Sequence, residues 1–273
     1  MERRIPSRTL LLLLGATVSV GGCARGSEEL LVKSEKPPQL FANHSSLGIV
    51  YLAFDLVSAE FTVDGVRHSR KVWNHVDERR IEPDVSARLA RNGLRVGVAS
   101  ADAWPILQAI FDAAEAEVQR WQVVAQGTDP LILPMAPIHP GESIFTYGPG
   151  GRLVGKTFDR GDKLIIVDYS FRPELGPATE LLLGFEVRRV RDELTWQKRG
   201  HRIEQRVAVD RHVFDQLEVR VTVRTNEFLV LGVTDLVGNE YLVGGRFLSS
   251  SAGGRRREKL FCITPVPIQT SNR

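Results

Sequence analysis

The stretch Leu217-Glu218-Val219-Arg220-Val221-Thr222-Val223-Arg224 alternates strictly between apolar and polar side chains. Successive side chains of a β-strand point to opposite faces, so this period of two predicts a strand with one buried face and one solvated face. Strands of this kind are typical of antiparallel sheets, which commonly bury one face only. The stretch therefore predicts an antiparallel sheet in the second half of the chain.

Eight further runs of strand-forming residues flank this stretch, and no segment of helical periodicity of useful length interrupts them. Gly238-Asn239, between two of the runs, has the composition of a hairpin turn. These features predict an antiparallel β domain over residues 141–273, built as a sandwich or a partly closed barrel. The runs are 143–147, 152–158, 163–171, 180–190, 203–209, 227–233, 240–248 and 259–266.

The preceding part of the chain mixes strand and helix patterns. One helix is predicted to begin no later than Pro83 and to end at Asn92-Gly93, where glycine can adopt the left-handed cap. A second helix is predicted after Asp102, because apolar residues recur there at three- and four-residue spacing. These residues are Leu107, Ile110, Phe111, Ala114 and Val118.

Strand-like runs at 48–63, 94–98 and 121–125 surround the two helices. We therefore predict an α+β fold class, with a small N-terminal α+β module over 47–127 and a larger antiparallel β domain after it. A proline-rich connection over 128–140 separates the two.

The first 23 residues have the order of an export signal. Arg3, Arg4 and Arg8 are followed by the apolar stretch 10–20 and by Val20-Gly21-Gly22-Cys23. This order resembles the lipobox of bacterial lipoproteins. The alternative is a plain transmembrane anchor, but eleven apolar residues reach only about 16 Å as a helix, roughly half of a bilayer core.

The resemblance implies that residues 1–22 are a signal peptide and that Cys23 becomes the lipidated N-terminus. Residues 23–46 are then a polar tether between the membrane and the folded body. The resemblance further implies a periplasm-facing protein of the cell envelope. Ala24 after the cysteine resembles lipoproteins that are sorted to the outer membrane.

Charge argues against a nucleic-acid partner. Without residues 1–22 the chain has 33 basic and 32 acidic residues, and we find no aromatic residues interleaved with its basic clusters. Arg255-Arg256-Arg257 is interpreted as a solvated hairpin tip, with a weak contact to anionic lipid as the alternative. If Cys23 carries lipid, Cys262 has no disulfide partner, and its apolar neighbours predict a small buried hydrophobic residue.

One stretch of the sequence, residues 150–157, formally matches an enzyme motif. Gly150-Gly151-Arg152-Leu153-Val154-Gly155-Lys156-Thr157 fits the phosphate-binding loop of nucleotide-binding proteins. That loop has to run into a helix N-terminus, whose free amides bind the phosphate. The residues after Thr157 have strand character, so we predict a hairpin and no nucleotide site.

His75 is followed closely by a pair of acids, Asp77 and Glu78. The trio is a candidate for general acid–base chemistry in a hydrolase, while the alternative is that the acids sit at the polar start of a helical region. No histidine falls in a metal-ligand spacing. We therefore predict no catalytic, cofactor or metal site, and Cys23 is the one functional residue we name.

The chain from Leu217 onward also resembles the C-terminal core of bacterial secretins, the outer-membrane pore proteins of secretion systems. Three pieces carry the resemblance: 217–232, Leu242-Val243-Gly244-Gly245-Arg246-Phe247-Leu248, and 257–265. The resemblance implies the fold of a β domain and not pore formation. Arg220 and Arg224 alternate out of the best strand, where a membrane-spanning strand carries an apolar band.

Taken together, these features predict a non-enzymatic, lipid-anchored envelope protein with a structural, assembly or partner-binding role. Its partners would be the membrane, through lipid on Cys23, and further copies of itself or another envelope protein. The alternative is a periplasmic module that binds a small molecule or glycan between the two domains.

Overall fold

In the computed structural model, strands make up most of the described chain. The described residues are 50–63, 68–125, 129–172, 177–199, 202–234, 239–252 and 255–269. The predicted signal peptide, Cys23 and the tether lie outside these residues. The described residues belong to one compact unit, Pro38–Arg273.

The strands and α-helices have the following bounds. The strands are β1 (Val50–Thr62), β2 (Leu94–Ser100), β3 (Glu117–Val124), β4 (Leu131–Pro137), β5 (Glu142–Tyr147), β6 (Leu153–Phe158), β7 (Asp162–Arg172), β8 (Ala178–Arg199), β9 (Arg202–Val213), β10 (Val219–Arg224), β11 (Glu227–Val233), β12 (Ser249–Ala252) and β13 (Arg255–Gln269). The α-helices are α1 (His68–Trp73), α2 (Pro83–Arg91), α3 (Trp104–Ala113) and α4 (Val243–Leu248).

The first sheet joins the two ends of the chain. Its strand order is β2-β11-β13-β1-β3, with β12 paired to the start of β13, and the pairs are antiparallel. Val50 lies opposite Gln269 and Thr62 lies opposite Arg257, so β1 pairs with β13 along its whole length. Strands from the first half and the last quarter of the sequence therefore form one sheet.

The second sheet is built around the long strand β8. Its order is β10-β8-β7-β4, and β9 pairs with β8 beyond the end of β10. Val219, Val221 and Val223 of β10 are buried, whereas Arg220 and Arg224 are exposed, which confirms the alternation predicted from the sequence. Strands β5 and β6 form a separate hairpin.

The first sheet buries both of its faces. Leu56 of β1 and Ile263 of β13 contribute to the large core that contains the inner face of the second sheet. On the opposite face, Cys262 belongs to a smaller core with Leu107 and Phe111 of α3. The sheet thus lies between two short helices and the second sheet.

This arrangement corrects the predicted fold class. The α+β prediction, with a separate N-terminal module, is wrong, because the described chain is mostly antiparallel strand with short helices and its sheets are open rather than a partly closed barrel. The physical reason is burial. Strands β1 and β2 have buried apolar side chains on both faces, and these are covered only when β11 and β13 complete the sheet.

Two local predictions also differ from the structure. The predicted strand 240–248 is a short 3₁₀ turn, Asn239–Tyr241, followed by α4. Gly244 permits this packing, because a Cβ there would lie 2.0 Å from the carbonyl oxygen of Gly93. Strand β4 lies within the predicted connection, and its prolines are tolerated because β4 pairs only with β7.

Candidate functional site

Strand β8 continues well beyond the sheet that contains it. Its ladder with β7 ends at Arg188, opposite Asp162. From Arg189 onward, its ladder partner among the described strands is β9. We call this two-stranded extension, 189–199 with 202–210, the ribbon arm. At about 3.3 Å per residue it is roughly 33 Å long.

One face of the ribbon arm carries a row of exposed apolar side chains, which we call the apolar stripe. Val190 lies opposite Val209, and Leu194 lies opposite Val207. Trp196 continues the row and is 70% exposed, and Leu194 is 56% exposed. A contiguous apolar surface of this kind marks an interaction site on a soluble body.

An irregularity in β8 keeps these side chains on one face. Between the pairs Val190–Val209 and Leu194–Val207, β8 has three residues where β9 has one. The two extra residues are an even number, so the alternation of faces continues through the bulge. If β8 had one extra residue between Val190 and Leu194 instead of two, Leu194 and Trp196 would lie on the face opposite to Val190.

A buried carboxylate fixes the base of the ribbon arm. Glu186 is 1% exposed and accepts hydrogen bonds from Arg188 Nε at 2.7 Å and from Arg211 Nε at 2.9 Å, with a further bond from Arg211 Nη2. Burial alone would raise the pKa of Glu186, but these hydrogen bonds and charges hold it below its ordinary value. The carboxylate therefore stays ionised and ties β8 to β9.

A second buried carboxylate, Glu142, is paired with a buried lysine. Glu142 accepts a hydrogen bond from Lys163 Nζ at 2.9 Å and another from the backbone N–H of His139 at 3.0 Å. Burial would raise the pKa of Glu142, but these bonds and the charges of Lys163 and Arg246 lower it overall. The pair connects β5 with β7, and both side chains are almost fully buried.

The formal phosphate-loop match lies on a β-hairpin. Lys156 and Thr157 belong to β6, paired with β5, as the sequence predicts. Thr157 Oγ1 forms a hydrogen bond with Ser143 Oγ at 2.8 Å, and Lys156 Nζ lies 3.2 Å from His212 Nδ1. The next element after β6 is another strand, β7, so the helix N-terminus that would bind phosphate is replaced by a strand.

The carboxylates near His75 are engaged with arginines. Asp77 Oδ1 accepts from the backbone N–H of Arg79 at 3.1 Å and caps the 3₁₀ turn Glu78–Arg80. Glu78 accepts two hydrogen bonds from the guanidinium of Arg95, the first at 2.9 Å. His75 is exposed, and among the described residues no hydrogen bond joins it to either acid. The structure thus does not bring the trio together.

Cys262 lies in the smaller core and is 1% exposed. This burial confirms the prediction of a small buried hydrophobic residue, and it raises the pKa of the thiol to about 12. Arg256 and Arg257, predicted as part of a solvated hairpin tip, are only half-exposed and pair with acidic side chains. Arg257 Nη1 donates to Glu117 at 2.9 Å, and Arg256 Nη1 donates to Glu240 at 3.4 Å.

Two cavities of the described residues lie on the outer side of the first sheet and at its end. One of about 380 Å³ is lined by α3 and β3, with Phe111, Val118 and Arg120. Another of about 240 Å³ lies between α2 and β2, where Glu78 and Arg95 already pair. The predicted junction between two domains is filled by the shared core.

Among the described residues, no three His, Cys, Asp or Glu side chains are grouped so as to hold a metal ion. Within the same residues, no helix is long and apolar enough to cross a membrane.

Sequence reasoning did not identify the ribbon arm. It predicted strands at 180–190 and 203–209 and left the residues between them unassigned. A signal was present, because Leu194 and Trp196 before Gly200, and Val207 and Val209 after it, keep a period of two. Such symmetric alternation around a glycine is typical of a β-hairpin.

Comparisons with known proteins add little to this description. Neither a protein-family model nor a curated protein sequence matches the chain. Among solved structures, the InvG secretin-domain β-barrel of the Salmonella SPI-1 injectisome NC-base matches with 12% sequence identity and a TM-score of 0.22. The match covers 82% of this chain, which spans 64% of the length of the InvG chain. The chain therefore has a weak structural resemblance to a secretin β-barrel domain, and a likeness at this level does not assign a function.

Proposed function

We propose that this chain is a non-enzymatic protein of the bacterial cell envelope. In this proposal, lipid on Cys23 holds it at a membrane, and the ribbon arm is the surface with which its folded body contacts another envelope component. One observation carries the second half of the proposal: five apolar side chains are exposed together on a ribbon that extends beyond its sheet. The anchoring half rests on the resemblance of the first 23 residues to a lipobox.

The contacts of the polar residues support a structural role. The buried carboxylates Glu142 and Glu186 bind lysine or arginine, and the acids near His75 bind arginine. Glu142, Glu186 and Glu78 each link two elements of the fold, and Asp77 caps the turn that follows it. The apolar stripe, in contrast, belongs to neither core of the described residues, so packing within that part of the chain does not account for it.

Retention on isolated bacterial envelopes tests the role of the ribbon arm. The chain from residue 23, carrying Cys23→Ser, removes the lipid contribution without cutting the folded unit, which begins at Pro38. We expect this chain to sediment with envelopes, and Leu194→Ser to reduce the bound fraction. Leu153→Ser on β6 is the matched control, since Leu153 is 46% exposed. Equal retention of both variants would contradict the proposal.

A further inference from the structure

The β8–β9 hairpin holds the entire net positive charge of the chain. Residues 186–213 contain eight Lys and Arg against five Asp and Glu, a net charge of +3. The full chain also has a net charge of +3, so the other residues, with 28 of each sign, sum to zero. The positive and negative charges of the other residues balance, but those of this hairpin do not. The argument from charge against an anionic partner therefore does not apply to the hairpin.

The apolar stripe and a basic pair share one face. Arg188 lies opposite Arg211, two residues along each strand from Val190 and Val209. Side chains two residues apart on a strand point to the same side, so the two guanidinium groups flank the end of the apolar stripe. Both arginines pair with Glu186, and the side chain is 55% exposed at Arg211 and 27% exposed at Arg188. Two guanidinium groups and one carboxylate leave a net positive charge beside the apolar stripe.

This combination matches the surface of a bilayer. Aliphatic side chains enter the boundary between headgroups and acyl chains, and tryptophan is enriched at that boundary. Basic residues near the surface are attracted to anionic headgroups. Resting on the function proposed above, we propose that the ribbon arm binds the surface of a membrane containing anionic lipid, with the apolar stripe against the lipid.

Two other occupants fit the same observations less well. A second copy of the arm would bring two hairpins of charge +3 together, which like-charge repulsion disfavours. A single-stranded nucleic acid would require several aromatic platforms for its bases. The apolar stripe has one aromatic residue, Trp196, among four aliphatic ones.

Co-sedimentation with lipid vesicles tests the proposal. The chain from residue 23 with Cys23→Ser is mixed with vesicles of equal parts phosphatidylglycerol and phosphatidylcholine, or of phosphatidylcholine alone. We expect binding to the anionic vesicles that weakens as salt rises from about 0.1 M to about 1 M, because the Debye length falls from roughly 10 Å to roughly 3 Å. We expect Trp196→Ser and Leu194→Ser each to weaken binding about tenfold, since binding scales with buried apolar area.

Leu153→Ser and Ile106→Ser serve as controls, because both residues are 46% exposed on other surfaces. Both should bind anionic vesicles as the parent chain does. Absence of binding to the anionic vesicles, or binding that ignores the Leu194 and Trp196 changes, would overturn the lipid proposal. Two other results without vesicle binding would also overturn it. One is binding to single-stranded DNA that Leu194→Ser or Trp196→Ser weakens, and the other is a dimer in size-exclusion chromatography that these variants disrupt.

Two outcomes of these experiments separate the lipid proposal from the proposed function. Stripe-dependent retention on envelopes without binding to anionic vesicles would leave the function in place and exclude lipid as the occupant. Retention on envelopes that does not depend on the apolar stripe would contradict the function itself.

Discussion

Arg188 and Arg211 lie directly opposite each other on β8 and β9, and both donate hydrogen bonds to the same carboxylate, Glu186. Like charges at directly opposed positions destabilise a strand pair. The buried carboxylate reverses that effect and converts a repulsive pair into a link between the two strands. Glu186 therefore stabilises the pairing of β8 with β9 at the base of the ribbon arm.

We expect Glu186→Gln to destabilise the fold by about 2–3 kcal/mol, because hydrogen bonds to a charged partner are lost and the two arginines then repel each other. Urea unfolding monitored by circular dichroism measures the change in the free energy of unfolding. Asp210→Asn is the control, because Asp210 pairs with Arg191 on the exposed part of the arm. An equal loss of stability in both variants would contradict the role assigned to Glu186.

Stability should fall in acid. The pKa values of Glu142 and Glu186 are lowered in the folded protein from an ordinary value of 4.5. Each group therefore contributes stability that is fully present above about pH 4.5 and is lost as the pH falls through the lower folded-state pKa. Urea unfolding between neutral and acidic pH should show this loss, and Glu186→Gln should make it shallower. An unchanged slope in the variant would exclude Glu186 as a contributor.

Lys156→Ala should have little effect on stability, no more than about 0.5 kcal/mol, since Lys156 is exposed on a hairpin. Magnesium and ATP should leave the melting temperature of the parent chain unchanged. A true nucleotide site filled to about a hundred times its dissociation constant would add about 2.7 kcal/mol. A reproducible rise in melting temperature that Lys156→Ala abolishes would show that nucleotide binds at β6.

The same substitution should change the titration of His212. Burial lowers the pKa of this imidazole, and the positive charge of Lys156 lowers it further. Removal of that charge makes protonation easier, so the pKa of His212 should rise toward its ordinary value of 6.5 in the Lys156→Ala protein. NMR titration of the imidazole signals provides the measurement. An unshifted titration would show that Lys156 does not contact His212 in solution.

Cys262 should be unreactive in the native state. With a pKa of about 12 and almost no exposure, its thiol is neither ionised nor accessible at pH values near neutrality. In the chain from residue 23 with Cys23→Ser it is the one remaining cysteine. A colorimetric thiol reagent should therefore find no thiol in the native protein and one in denaturant. Rapid native labelling would contradict the burial of β13.

Cys23→Ser in the full chain should abolish incorporation of radiolabelled palmitate, because only a thiol can form the thioether that a lipobox implies. The full-length precursor should then remain uncleaved or mislocalised. Wild-type protein that carries no label and occurs entirely in a soluble fraction would contradict the anchoring prediction.

Local patterns predicted local structure well. The alternation ending at Arg224 gave the buried and exposed faces of β10, and the spacing of Leu107 and Phe111 gave the buried face of α3. Pro83 is the first residue of α2, and Gly93 has the left-handed φ of +81° expected after its end. Each of these features depends on neighbours within a few residues, which is why periodicity detects it.

The sheet partners depend on information that no local pattern contains. Leu56 pairs with Ile263 across more than two hundred residues, and no local pattern marks either strand as the partner of the other. The hairpin of the ribbon arm has a local signal, the alternation on both sides of Gly200, but its exposure has none, since that depends on where the ladder with β7 ends. The predicted strand over 240–248 failed for a similar reason, because Gly244 lies in α4, where its close approach to Gly93 depends on the tertiary fold.

The pairing of β1 with β13 has a mechanical consequence. The chain before Val50 is continuous with β1, so β1 is the first described element that a pull on that part of the chain would reach. Strand β1 lies between β13 and β3, and its ladder with β13 runs from Val50 to Thr62. A pull directed along the axis of β1 would load the hydrogen bonds of both ladders together, so that no single hydrogen bond would carry the force alone.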